Sequence, residues 1–162
     1  MKIGIKVLED GGILFEGIDS LLFTMLSQIR PSAELDDPRV EARFYQVPSH
    51  DPEADALRED WKAFVQPDLH SGFAASRETV DADLRRSHED KTGLRSLLIP
   101  RRHIDHWLSA LNQARLALSE FHGFSEAEMG RQINDLDDPR EYALLQVSIY
   151  GLMQEWLVSL LD

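Results

Sequence analysis

Cysteine is absent from the 162 residues, which excludes disulfides, thiol nucleophiles, thiol-based redox sensing and zinc ligation through sulfur. No apolar run approaches the ~20 residues of a membrane span, and Met1-Lys2-Ile3-Gly4-Ile5-Lys6 lacks the unbroken apolar core of a signal peptide. The expected location is therefore the cytoplasm, with no membrane contact. Basic residues are also scarce: 17 Lys and Arg against 29 Asp and Glu give a formal net charge of -12. That field repels phosphate backbones and disfavours direct nucleic-acid binding. There is no glycine-rich phosphate loop, since Asp10-Gly11-Gly12 is too short, and no Gly-x-Ser-x-Gly elbow.

What the chain does have is enough apolar material for a core. A 43% hydrophobic and 28% charged composition is that of a folded globular protein, and this length buries roughly 70% of the unfolded surface. A single domain over 1–162 is expected, mainly α with a small β component (α+β). Residues 1–16 alternate polar and apolar positions around Asp10-Gly11-Gly12 and predict a β-hairpin. From Gly17, apolar residues at helical spacing predict a helix up to Pro31.

A loop is expected over 31–50, in which Asp37-Pro38 caps a short helix through Phe44. Asp51-Pro52 resembles an N-cap with proline at N1. The helix it opens lines up Ala54, Leu57, Trp61, Phe64 and Val65 until Pro67 interrupts it, and a further helix runs from about Asp68 to Glu89. Thr92-Gly93 breaks that helix, and 94–99 is short and apolar enough to add a third strand beside the hairpin. Half of the net charge falls in 34–60, where nine carboxylates face Arg39, Arg43 and Arg58; a solvated acidic face or a dock for a basic partner would both use it.

The last sixty residues predict an antiparallel helical hairpin over 100–162, giving five to six helices in all. Ile104, Trp107, Leu108, Leu111, Ala114, Leu118 and Phe121 form the apolar face of the first helix, which Gly123 ends. Ser125 with Glu128 makes a capping box for a short helix, and Asp138-Pro139 opens the last one. Its stripe is Tyr142, Leu145, Ile149, Leu152, Met153, Trp156 and Leu160. Antiparallel packing would bring Arg115 within reach of Glu155 as a partly buried ion pair, with Asn112 beside them.

These residues resemble a known family. The run Trp107-Leu108-Ser109-Ala110-Leu111-Asn112-Gln113-Ala114-Arg115-Leu116-Ala117-Leu118, the Asp-Asp-Pro at 137–139 and the Leu-x-Gln-Glu-x-Leu ending at Leu152 to Leu157 are similar to an uncharacterised bacterial domain-of-unknown-function family. That family is best known from actinomycetes, where its gene often lies near that of the Clp-protease adaptor. The likeness is specific over 103–161 and fainter over 17–90. Two features depart from it: Ile99 cannot cap the long helix, with Arg101 and Arg102 opposing its dipole, and the cysteines of some relatives are missing. The resemblance implies a fold without a mechanism.

Candidate chemistry is sparse. His103, Asp105 and His106 come closest to a metal site, but two histidines at i and i+3 without a distant partner fit two surface side chains better. No metal, cofactor or catalytic constellation is expected, and the chain is not read as an enzyme. Arg101 and Arg102, with Arg85, Arg86 and Arg95, are the one local basic excess. They would take an anion or acidic partner if they cluster, or neutralise the 34–60 carboxylates. Trp107, Asn112, Arg115 and Glu155 form either a structural network or an interaction site. The leading expectation is a non-catalytic module that binds an unidentified protein. A transcription-associated regulator and a small-ligand binder or enzyme with a pocket near Asn112, Arg115 and Glu155 are the alternatives. The amphipathic hairpin also leaves a homodimer open.

Overall fold

A computed structural model describes residues 2–46, 51–129 and 132–161. The N-terminal alternation forms strands β1 (Gly4–Val7) and β2 (Ile13–Ile18), paired antiparallel with Ile5 opposite Phe15. The turn closes through Asp10, whose carboxylate accepts from Gly12 N at 2.8 Å. The third strand also forms: β4 (Arg95–Ile99) pairs antiparallel with β2, Ile13 opposite Ile99. A two-residue β3 (His88–Glu89) completes the order β1-β2-β4-β3. The helix expected to reach Glu89 thus stops earlier, and Thr92-Gly93 is the turn of a second hairpin, held by Asp90 Oδ1 on Thr92 N and Leu94 N.

Ile13, Phe15, Leu97 and Ile99 turn one sheet face inward, whereas Val7 and Leu98 are exposed. The β2 register shifts between Phe15 and Ile18, where Gly17 has φ +79°. Only glycine takes that backbone without strain.

Helix α1 (Ser20–Ser27) starts later than the apolar spacing suggested, because Gly17 and Ile18 still belong to the strand and Asp19 caps through Leu22 N at 2.8 Å. The chain breaks at Gln28, and α2 (Ile29–Ala33) carries Pro31 in its first turn. Proline is tolerated there because first-turn N–H groups have no intrahelical acceptor. Asp37 caps α3 (Pro38–Phe44) as expected.

The helical path from Pro52 to Arg85 is continuous in place of the expected break at Pro67. It runs through a 3-10 turn (Pro52–Ala54), α4 (Asp55–Asp60), a wide π turn (Trp61–Val65) and α5 (Gln66–Arg85). The wide turn just before Pro67 takes up the missing N–H and the ring's clash with the preceding turn.

Helix α6 (Ile104–His122) is the centre of the molecule and packs against α2, α3, α5 and α8 (Pro139–Ser159). Trp107, Ala110, Leu111, Ala114 and Ala117 are fully buried along it, the alanines allowing close helix approach. Phe121, expected on that face, is exposed. Gly123 ends α6 in the left-handed conformation at φ 65°. Ser125 and Glu128 exchange capping bonds at 3.3 Å around α7 (Glu126–Met129), and Asp138 caps α8. Helices α6 and α8 are antiparallel: Arg140 reaches His122 O at one end, and Gln154 reaches Leu108 O at the other.

The buried arc of α8 differs from the expected one. Ala143, Leu144, Val147, Tyr150, Met153 and Leu157 face the core, while Tyr142, Leu145, Ile149, Trp156 and Leu160 are half-buried and Leu152 is exposed. Polar side chains sit inside because they are satisfied: Tyr150 donates to Met25 O at 2.6 Å, and Gln146 donates to Gln28 Oε1 at 3.1 Å. Burial pushes the Tyr150 phenol well above its ordinary value, keeping it a neutral donor.

Candidate functional site

The antiparallel α6/α8 pair leaves an open groove of about 1100 Å³ lined by Asn112 and Arg115 from α6 and by Gly151, Gln154 and Glu155 from α8, among others. Asn112, Arg115 and Glu155 are therefore brought to one place, in a groove open to solvent rather than a closed core. The expected Arg115–Glu155 ion pair does not form. Arg115 Nη1 donates to Gln154 Oε1 at 2.7 Å, and Gln154 Nε2 is in turn tied to Leu108 O at 3.3 Å. The guanidinium lies over Gly151, where an added Cβ would come within 3.2–3.3 Å of it. Its buried Nε has no hydrogen-bond partner among the described residues, and the exposed Glu155 has no ion pair there.

Trp107 is on another side of α6 and takes no part in that groove. Its Nε1 donates to Asp83 Oδ2 at 2.8 Å, and His103 Nδ1 lies 2.9 Å from the same oxygen. Arg86 approaches the other carboxylate oxygen at 3.6 Å. Asp83 is only 2% exposed, so this cluster ties the end of α5 to the start of α6. His106 Nδ1 is 3.0 Å from Ser76 Oγ. The two histidines are thus turned to different partners, and no group of three or more His, Asp or Glu among the described residues could hold a metal ion.

A second polar network escaped the sequence reading. Arg77, 9% exposed, donates to Glu34 at 3.0 Å and to Gln113 Oε1 at 2.9 Å, while Arg30 bridges Glu34 and Asp81. Burial pushes the Glu34 carboxyl up, but the bonds from Arg30 and Arg77 outweigh it and hold the carboxyl below the usual range. The available signal was Gln113 itself, a polar residue set between Ala110 and Ala117 on the buried face of α6.

Arg101 and Arg102 are exposed in a 3-10 turn (Arg101–His103) that leads into α6 without a side-chain cap. Arg101 packs its stem against Gly11 of the hairpin turn. Of the other arginines, Arg95 stacks 4.2 Å over Phe23 and bonds Ser87, and Arg86 turns to Asp83. Arg101 and Arg102 do not neutralise the 34–60 carboxylates, whose ion pairs run to Arg30, Arg39, Arg58 and Arg77.

The largest surprise is the 52–69 arm. Leu57 is 53% exposed, Phe64 72%, Val65 43% and Leu69 36%, so the apolar row follows the helical path without a partner among the described residues. Further along the same helix Val80 and Leu84 are core residues. Asp55, Glu59, Asp60 and Asp68 flank the row, against Arg58 and Lys62.

A protein-family model described as Domain of unknown function (DUF2017) matches residues 11–161. The chain belongs to this family. No curated protein and no solved structure matches it significantly. Within this DUF2017 chain the match takes in the sheet from β2 onward, the arm and both groove helices. No helix among the described residues is long and apolar enough to cross a membrane.

Proposed function

We propose that this DUF2017 protein is a non-catalytic protein-interaction module, acting in the cytoplasm through the 52–69 arm. The observation that carries this reading is the exposed row of Leu57, Phe64, Val65 and Leu69. An amphipathic helix with anchors at such spacing suits an apolar groove on another protein, and contiguous exposed apolar surface marks interaction sites. The flanking carboxylates favour a basic rim on that groove and disfavour self-pairing of two arms. The same carboxylates repel nucleic acid, so a role in transcription would run through protein contact. The resemblance drawn from the sequence implies a bacterial setting near the Clp-protease adaptor, and that setting would suit a partner in regulation or proteolysis.

The test is affinity capture of the tagged chain from its own host at native expression, beside a Leu57→Asp/Phe64→Asp variant with unchanged circular dichroism. A specific partner lost in the variant is the expected result. Capture that the variant leaves intact, or that yields nothing above background, would sink the proposal.

A further inference from the structure

We infer that two copies of this chain pair across a two-fold axis through the α6/α8 groove, the Arg115 guanidinium of each copy receiving the Glu155 carboxylate of the other. The argument starts from two charges that share one groove without meeting. Arg115 is held in place by Gln154 through Nη1; its Nε is buried out of reach, and its Nη2 has no acceptor among the described residues. Glu155 is exposed on the opposite wall with no cation within ion-pair distance among them. A cation and an anion on the same patch are what a two-fold interface needs, because each copy must present both halves of every contact.

The chemistry narrows the occupant further. A free anion approaching Arg115 meets the field of Glu155, and a basic segment approaching Glu155 meets that of Arg115. A surface carrying both, at the same separation, satisfies the pair together, and a second copy is such a surface by construction. The outward side of α8 adds the packing: Ser148, Gly151, Glu155 and Val158 follow one another at the three- and four-residue steps of a helix seam, with Leu152 beside them. Leu152 and Val158 are 40% and 56% exposed there. Gly151 lets the guanidinium lie flat on α8, beside this seam. The result is a four-helix contact of two α6/α8 pairs with Arg115–Glu155 bonds on both sides of the axis.

This interface is remote in sequence from the 52–69 arm, and either proposal can fail alone. Sedimentation velocity of the full chain over a micromolar concentration series reads it directly. A concentration-dependent dimer is expected for the native chain. Arg115→Glu and Glu155→Arg should each weaken it about tenfold or more, since each places like charges opposite one another at both contacts. Mixing the two single variants should restore a dimer, now a heterodimer, because each charge again faces its opposite; the Arg115→Glu/Glu155→Arg double variant should restore it likewise. Glu155 is exposed, so Glu155→Arg reports on the interface even where Arg115→Glu disturbs folding. A native chain that stays monomeric, a dimer indifferent to Glu155→Arg, or single variants that do not rescue one another would each overturn the inference. A monomer whose groove instead takes a free amino acid in a titration would overturn it too.

Discussion

Trp107 and Asp83 are joined by a bond from the indole Nε1 to Oδ2 at 2.8 Å, in a place where Trp107 is fully buried and Asp83 is 2% exposed. This one carboxylate also receives His103, so it fixes the end of α5 against the start of α6. Asp83→Ala leaves the buried Trp107 indole N–H and the partly buried His103 ring without this partner and should cost about 2–4 kcal/mol. Urea denaturation measures it; a loss under about 0.5 kcal/mol would show that water replaces the carboxylate readily.

Glycine at 17 is required twice over. The backbone is at φ +79°, and a Cβ would lie 2.6 Å from the carbonyl oxygen of Lys2, a backbone atom that cannot swing away. Gly17→Ala should destabilise by about 2–4 kcal/mol. Gly72 in α5 is the internal control: a Cβ there meets nothing within 4 Å, and Gly72→Ala should stabilise by up to ~1 kcal/mol through helix propensity. Thermal melts of both variants check the contrast, and equal effects would contradict it.

The exposed arm and the central helix should respond oppositely to damage. Phe64→Asp, at a 72% exposed position, should leave stability within about 0.5 kcal/mol. Leu111→Ala, at a position with no exposure, should cost about 2–5 kcal/mol. A strongly destabilised Phe64 variant would mean that the row is covered within the chain.

His122 links stability to pH. Burial, and then the Arg140 guanidinium nearby, push its imidazole below the ordinary value of 6.5. A folded value below the unfolded one means the fold favours neutral His122. Its contribution is complete above about pH 6.5 and is lost as pH falls through the folded value. Stability should therefore decline on acidification from neutral pH, and less steeply in His122→Gln. An NMR titration of the His122 ring with a midpoint at or above 6.5 would reverse the sign. Further loss should follow at lower pH, as Glu34 and Glu128 protonate, both held below the usual carboxyl range by their arginine partners.

The groove shows how far the sequence could be followed. Asn112, Arg115 and Glu155 reach one place because antiparallel packing of α6 and α8 dictates which turns oppose each other. Their bonds were not legible: Gln154 and Glu155 are adjacent in the chain, and only the rotation of α8 decides which one meets Arg115. That rotation was misread because Tyr150 and Gln146 look polar in the sequence yet are satisfied inside by Met25 O and Gln28. Trp107, expected in one network with Arg115, faces another side because eight residues along a helix turn a side chain by roughly 800°, which is not a whole number of turns.

The amino-acid sequence by itself determined the local events. Asp37 and Asp138 cap, Ser125 and Glu128 form their box, Gly123 stops α6, and the turn at Asp10-Gly11-Gly12 folds the first hairpin. Each depends on a few neighbouring residues and their backbone preferences. Tertiary structure alone decided which edge of the first hairpin β4 would take, that Asp83 would lie under Trp107, that Pro67 would be passed by a wide turn, and that Leu57 and Phe64 would remain in solvent. An apolar stripe states that a helix has a face to cover; it does not say what covers it, because that answer rests on residues dozens of positions away.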